Sequence, residues 1–270
     1  MISSNGSSPT PDVPIHRLMQ ASAMDVWQIL TFPLSLYSPR ISPPARSTGH
    51  HSSDSNLFFG SLQNLTPWNN LTDQLTTIST RIPPSVAFFG IQPDTTYDLT
   101  LEADVIRAAH VYLVHPVNVI LQKVYPESNI SCKSETSERR AYSRLDIHWR
   151  YNDVVFAILE FKRPYSIRHL EWQRAMTGAG RVLQDGERIA RQLKKYGYYF
   201  STPYVGVFDW LTLVVLKLGG PMAEWKVDEG AIPPATPAEY AWVEQDGAMR
   251  MTLLCFLMEA LHWRCQGSPS

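Results

Sequence analysis

The sequence has little cysteine, no long apolar run and almost no net charge. Its 270 residues include three Cys, 24 Lys and Arg, and 25 Asp and Glu, which leaves a net charge of -1. The scattered cysteines exclude a disulfide framework or a cysteine-based zinc site. No segment approaches the ~18 apolar residues of a membrane helix, and the first residues lack the charged start and apolar run of a secretory signal. We therefore expect an intracellular protein, nuclear or cytoplasmic, without a membrane partner.

The N-terminal region is rich in serine and proline. Residues 1–60 hold twelve Ser and seven Pro, and such a composition buries too little apolar surface to offset the entropy of ordering. We expect residues 1–85 to form a mostly disordered arm, followed by a single domain over residues 86–270. Apolar residues at helical spacing predict a short helix at 24–32, which either docks on a core or partner or is only a local hydrophobic patch.

From Thr96 onward the hydrophobic pattern becomes regular. Pro116 is expected to kink or divide the first helix. The order predicts an α/β or α+β fold in which helices cover a central sheet. The predicted elements are helix Leu99–Lys123, polar loop Glu127–Arg140, strands Arg144–Tyr151 and Val154–Lys162, helix Arg181–Tyr199, strands Tyr204–Phe208 and Leu211–Leu218, and helix Met249–Trp263.

Charged residues interrupt two of the apolar strands. Glu160 and Lys162 project from the same face of the second strand because strand side chains alternate, and Asp146 stands within the first strand. Burying such groups is costly unless they are paired. Asp146, Glu160 and the backbone carbonyl of Phe161 could together bind a hard divalent cation, while Lys162 orients or deprotonates water. The alternative is a structural ion-pair cluster.

The connection between these strands tests a joint site. A two-residue turn at Asn152 and Asp153 would place Asp146 opposite Leu159, on the wrong face for Glu160, and a clean turn of this kind would count heavily against a joint site. A loop of three residues (151–153) or five (151–155) would restore a shared face. We therefore predict an odd-length loop or a β-bulge in this hairpin.

These residues resemble the PD-(D/E)xK nuclease superfamily, whose motif is an acid on one strand and (D/E)xK on the next. Asp146 and the segment Glu160-Phe161-Lys162 match the motif, and Leu159 to Pro164 (LEFKRP) resembles uncharacterised fungal members. The likeness spans roughly residues 97–220, although Arg144-Leu145 replaces the proline expected before the first acid. It implies a restriction-endonuclease-like mixed β-sheet flanked by helices, Mg²⁺ or Mn²⁺ on the acids, and a lysine that assists the attacking water.

The resemblance extends to the flanking helices. Glu102 is similar to the acid that many members carry on the helix before the sheet, which would make it a further metal ligand. Gln192 and Tyr196 are similar to the QxxxY element of the RecB-type branch, which would add them to the catalytic set. The alternatives are a solvated charge near a helix start for Glu102 and a surface pair for the other two.

Positive charge is concentrated around the motif. Between Lys133 and Lys195 there are fourteen Lys and Arg against eight Asp and Glu. A phosphodiester substrate favours such a field, although helical basic residues often form only a solvated face. The candidate phosphate contacts are Arg163, Arg168, Arg174, Arg188, Arg191 and Lys194.

The sequence thus predicts a Mg²⁺-dependent endo- or exonuclease with nucleic acid as its partner. Two alternatives stay open: a catalytically silent or repurposed nuclease-fold protein that acts as a binding module, and an enzyme of other chemistry on the same fold. A homodimer is also left open.

Overall fold

A seven-stranded mixed β-sheet lies at the centre of the protein. The computed structural model describes residues 22–37, 40–41, 58–71, 82–88, 98–138, 143–226, 234–245 and 247–266. The strands are β1 (Ser22–Asp25), β2 (Arg40–Ile41), β3 (Leu62–Pro67), β4 (Ser85–Phe88), β5 (Asp98–Leu99), β6 (Ile130–Glu138), β7 (Ser143–Tyr151), β8 (Val154–Phe161), β9 (Tyr204–Phe208), β10 (Thr212–Leu218) and β11 (Thr236–Glu244). The helices are α1 (Val26–Thr31), α2 (Glu102–Ala109), α3 (His115–Val124), α4 (His169–Met176), α5 (Gln184–Phe200) and α6 (Met249–Cys265).

The sheet order is β3-β11-β10-β9-β8-β7-β6. The pairs β3/β11 and β8/β9 are parallel and the other neighbours are antiparallel. Strands β1 with β4, and β2 with β5, form two separate two-stranded sheets. The chain between the parallel strands β8 and β9 forms α4 and α5, as a parallel connection requires. The expectation of a mixed α/β fold is confirmed.

Helices cover both faces of the sheet. Along β8, Leu159 packs into a core shared with α1, α2, α3 and α6, whereas Ile158 packs into a second core shared with α4 and α5. Both side chains are fully buried, which stabilises the fold by about 1.5–3 kcal/mol for each. Among the described residues, no helix has the length and apolar character needed to cross a bilayer.

The predicted helix before the sheet is present but divided. Between α2 and α3 the segment His110–Val114 is π-helical, and Pro116 follows in the first turn of α3. A proline has no N–H to donate to the carbonyl four residues earlier, here that of Tyr112. The guanidinium of Arg250 on α6 supplies a donor instead, with its Nε 2.7 Å from that carbonyl oxygen.

Arg250 also ties the N-terminal region to the core. Its side chain is only 2% exposed, and it donates to the carbonyl of Ile29 and to the hydroxyl of Tyr37, each at 2.8 Å. The helix α1 itself begins after Asp25, whose carboxylate caps the first amide groups. The short helix predicted at 24–32 is therefore present and docks on the core.

The folded region begins earlier in the chain than predicted. Strand β3 lies at the edge of the central sheet and pairs in parallel with β11, so the predicted boundary between residues 85 and 86 falls inside the folded region. Within the predicted disordered arm, residues 1–21, 38–39, 42–57 and 72–81 lie outside the described residues.

The prediction of a polar loop at Glu127–Arg140 is wrong. Residues Ile130–Glu138 form β6, which pairs antiparallel with β7 at the other edge of the sheet. An edge strand has one partner strand and tolerates polar residues, which also discourage edge-to-edge association. The polar composition of this edge strand therefore led to the prediction of a loop.

Candidate active site

The hairpin of β7 and β8 places Asp146 opposite Glu160. Its loop is a two-residue turn, with Asn152 at φ 48° and Asp153 at φ 63°, as in the type I′ turns that suit twisted hairpins. Arg150 pairs with Val155, but Trp149 pairs with Ala157, so β8 carries one extra residue. This bulge shifts the register by one position, which restores the shared face, and the predicted irregularity is confirmed.

Asp146 lies where the β7–β8 ladder ends. Its side chain is buried, and Oδ2 accepts a hydrogen bond of 2.7 Å from the backbone N–H of Phe161. Burial raises the pKa of Asp146, although the Phe161 N–H and the charge of Lys162 oppose this effect. The backbone of Phe161, whose carbonyl is a predicted ligand, thus lies directly beside this carboxylate.

Glu160 and Lys162 form a close ion pair. Lys162 Nζ lies 2.6 Å from Glu160 Oε1, and the Glu160 residue is only 3% exposed. The second carboxylate oxygen, Oε2, is buried and has no hydrogen-bond partner among the described residues. A buried carboxylate oxygen without a donor is costly. The Asp146 and Glu160 side chains also lie within hydrogen-bonding reach of each other, so a proton or a cation shared between them would offset this cost.

Glu102 approaches Lys162 from α2, which lies on the face of the sheet opposite α4 and α5. It is in the first turn of α2, and its Oε2 lies 3.6 Å from Lys162 Nζ. Its side chain is 46% exposed. Glu102 is therefore at the solvent-facing side of the ion pair, and the lysine lies between two carboxylates.

Gln192 and Tyr196 meet Glu160 from α5. Gln192 Nε2 donates to Glu160 Oε1 at 2.5 Å and to the Tyr196 hydroxyl at 2.6 Å. Residues four apart share a helix face, and Tyr196 is only 2% exposed. Half-buried Gln192 and buried Tyr196 therefore hold the Glu160 carboxyl group from α5 and are not a surface pair.

The cluster carries more negative than positive charge. Three carboxyl groups, those of Glu102, Asp146 and Glu160, surround the single ammonium of Lys162. Burial raises the pKa of Glu160 to about 8, with the charge of Lys162 opposing this and that of Asp146 adding to it. Burial alone would lower the pKa of Lys162, but the surrounding carboxylates outweigh it and raise this pKa. The cluster therefore favours uptake of a proton or of another cation.

The predicted phosphate contacts differ in exposure. The side chains of Arg168 and Arg188 are 59% and 66% exposed, and both also contact nearby acids. Arg163 is partly buried, and Arg191 pairs with Glu187 at 2.8 Å. Arg174 on α4 is exposed.

Lys194 does not fit the predicted role. It is fully buried, and its Nζ donates to the carbonyl of Pro234 at 2.8 Å. Its ammonium therefore does not lie at the surface, and burial lowers its pKa to about 8. The basic pattern of the helix did not indicate this burial, because the contact comes from the chain near Pro234, forty residues away.

The sequence did not reveal the role of Asp209 beside the site. Asp209 follows β9, and Lys162 follows β8. Because these two strands are parallel, both residues lie at the C-terminal ends of neighbouring strands. Its buried carboxylate accepts from the N–H groups of Ile167 at 2.8 Å and Thr212 at 2.9 Å. These bonds hold the loop after Lys162, and the only sequence signal was an acid directly after a buried strand.

The described residues contain no group of three or more His, Cys, Asp or Glu side chains that could hold a metal ion. The predicted trio of Glu102, Asp146 and Glu160 is therefore not assembled as a ligand set in this conformation. Asp146 and Glu160 remain as a carboxylate pair with one unsatisfied oxygen. Two carboxylates suit Mg²⁺, which keeps several of its water ligands when bound by proteins.

We found no match between this chain and any protein-family model, curated protein or solved structure.

Proposed function

We propose that the protein is a metal-dependent phosphodiester hydrolase acting on nucleic acid, with a restriction-endonuclease-like fold. The observation that carries this proposal is the convergence of Asp146, Glu160 and Lys162 at one end of β7 and β8. An ion pair between Glu160 and Lys162 kept only for structure needs no second buried carboxyl group, yet that of Asp146 lies within hydrogen-bonding reach of Glu160. Once Glu160 is ionised, three carboxylates would surround one ammonium group, and a divalent cation would offset that excess of negative charge.

Asp146 and Glu160, with the Phe161 carbonyl, would hold Mg²⁺ or Mn²⁺. When bound, such an ion stabilises the negative charge that develops on the phosphate oxygens. Gln192, which donates hydrogen bonds both to Glu160 and to the Tyr196 hydroxyl, would hold Glu160 in the orientation that this task requires. Glu102 lies at the solvent-facing side of the site, where it shares Lys162 with Glu160.

Lys162 has the position of the group that orients the attacking water. Its ammonium is held between Glu160 at 2.6 Å and Glu102 at 3.6 Å, and its side chain retains 17% exposure toward solvent. The raised pKa keeps it protonated at neutral pH. It therefore acts as a hydrogen-bond donor to water or to a phosphate oxygen, and not as a base in its resting state.

The exposed arginines fit phosphate binding beside this site. Arg168 belongs to the loop that follows Lys162, and Arg188 lies one turn before Gln192 on the same face of α5. Both side chains are more than half exposed. Contacts of this type position a nucleic acid without reading its sequence.

The test is a cleavage assay on plasmid, linear duplex, single-stranded DNA and RNA, with and without Mg²⁺ or Mn²⁺. Asp146→Asn and Lys162→Ala should each reduce cleavage by at least about 100-fold. Two variants serve as matched controls. Asp153→Asn changes an exposed acid in the β7–β8 turn. Lys217→Ala removes a lysine of β10 whose Nζ lies 3.6 Å from Glu259 of α6. Both should leave cleavage unchanged.

Absence of cleavage together with absence of a metal-dependent thermal shift would contradict the proposal. A metal-dependent shift without cleavage of any substrate would instead favour a silent nuclease-fold binding module.

A further inference from the structure

The loop after Lys162 contains an aromatic residue in a strained conformation. The N–H of Ser166 donates to the carbonyl of Arg163 at 3.3 Å, which closes a turn with Pro164 and Tyr165 at its centre. Tyr165 has φ 65°. Proline in the first central position and a positive φ in the second define a type II turn, whose second position normally requires Gly or Asn. A tyrosine there costs about 1–2 kcal/mol relative to glycine.

The surrounding structure holds this strained residue in place. Pro164 within the turn and Ile167 directly after it are buried. The Ile167 N–H donates to the buried carboxylate of Asp209 at 2.8 Å, and the Ser166 N–H interacts with the same group. Tyr165 itself is 44% exposed. The neighbouring residues thus fix the backbone in a conformation that is strained for any residue with a Cβ, while the Tyr165 side chain stays partly exposed to solvent.

The position of Tyr165 relates it to the proposed chemistry. It is three residues after Lys162, so the two Cα atoms are at most ~11 Å apart. Successive nucleotides in a strand are stacked about 3.4 Å apart, so the ring lies within a few nucleotides of a phosphate at Lys162. Arg163 and the exposed Arg168 flank the turn and supply positive charge. An exposed ring between cations is the arrangement that binds a single strand by stacking and phosphate contact.

We infer that Tyr165 is a base-stacking residue and that the substrate is single-stranded, or unpaired, next to the scissile phosphate. This inference rests on the proposed function. In a duplex, each base already stacks on its neighbours, and its face is not available to a protein ring. The ring of Tyr165 then contacts an unpaired base, and Arg168 contacts the adjoining backbone.

The experiment measures binding in EDTA, where metal-dependent cleavage is off. The probes are a DNA single strand of about 12 nucleotides, its RNA counterpart and the matching duplex, with 2-aminopurine in the strand to report stacking. Tyr165→Ala should weaken single-strand binding by about 10-fold or more and abolish the quenching of 2-aminopurine. Duplex affinity should change little, and Tyr165→Phe should behave like the wild type.

Trp27→Ala is the matched control because Trp27 is a ring with 40% exposure on α1, outside the site. It should leave single-strand binding unchanged. Unchanged single-strand affinity and quenching in Tyr165→Ala would overturn this inference. If cleavage still depended on metal and on Asp146, the proposed function would stand without it. If the wild type neither bound nor cleaved any of the probes, both would fall.

Discussion

Replacing Glu160 by glutamine should make the metal-free protein more stable at alkaline pH. The Glu160 carboxyl is 3% exposed and accepts from Lys162 and Gln192 through one oxygen only. Burial raises its pKa from the ordinary 4.5 to about 8. A glutamine has nearly the same shape, retains an acceptor oxygen for these donors, and carries no charge that must be buried.

The sign follows from where the proton is held. Between about pH 4.5 and pH 8 the folded protein keeps a proton on Glu160 that the unfolded chain has lost, so the free energy of unfolding falls as the pH rises. Each tenfold change in proton affinity is worth about 1.4 kcal/mol. The interval from 4.5 to about 8 therefore sets an upper limit of about 5 kcal/mol for the stability lost across this range.

The assay is urea unfolding in EDTA at several pH values from about 5 to about 8.5. Near pH 5 the free energy of unfolding of Glu160→Gln should be close to that of the wild type, because Glu160 is then protonated in the folded protein and most of its contribution to stability remains. Near pH 8 the free energy of unfolding of the variant should exceed the wild-type value by several kcal/mol. Asp209 is present in both proteins, whereas Asp146 is coupled to Glu160, so the difference between the two curves reports on the pair of Glu160 and Asp146. Parallel curves, or a variant that is less stable than the wild type at pH 8, would refute the reasoning.

Three further predictions concern the scaffold, each measured by urea unfolding. Arg250→Met should lower the free energy of unfolding by at least about 3 kcal/mol because three buried acceptors lose their donor; a loss below ~1 kcal/mol would contradict this. Gly206→Ala should cost about 1–3 kcal/mol, since a Cβ would lie 3.1 Å from Leu159 Cδ1, whereas Gly180→Ala, with its nearest atom at 3.9 Å, should be almost neutral. Tyr165→Gly should raise the free energy of unfolding by about 0.5–1 kcal/mol, since relief of the positive φ exceeds the added chain entropy; a loss of stability would argue against strain at this turn.

Local patterns were sufficient to locate the centre of the candidate site. Glu160 and Lys162 stand out because an apolar strand rarely carries two charges, and the alternation of strand side chains places them on one face. The bulge between β7 and β8 was predictable because only a change of register brings Asp146 opposite Glu160. Its position, at Trp149 and Ala157, depends on side-chain packing that the sequence does not display.

The parts that the sequence missed depend on distant partners. Strand β3 is short and polar and ends in proline, and its pairing with β11 joins residues about 170 positions apart. The segment of α4 likewise has no strong pattern of its own but packs beside β3 and α5. Lys194 resembled a surface lysine because helical periodicity does not show which chain segment covers a given face. Such features arise from tertiary contacts that override local propensity.

The charge of the site links its metal-free stability to its ligand. On the proposed function, a proton and a divalent cation would compete for the same buried carboxyl oxygens of Asp146 and Glu160, because either one would offset the negative charge of the ionised carboxylates around Lys162. Under that proposal, metal affinity would increase over the same pH range in which the metal-free protein loses stability. An ion pair kept only for structure would have no reason to retain the third carboxyl group or an oxygen without a donor. If the proposal holds, binding of a cation would recover the stability that burial of these carboxyl groups costs the metal-free protein, as is expected when a functional site is built at the expense of stability.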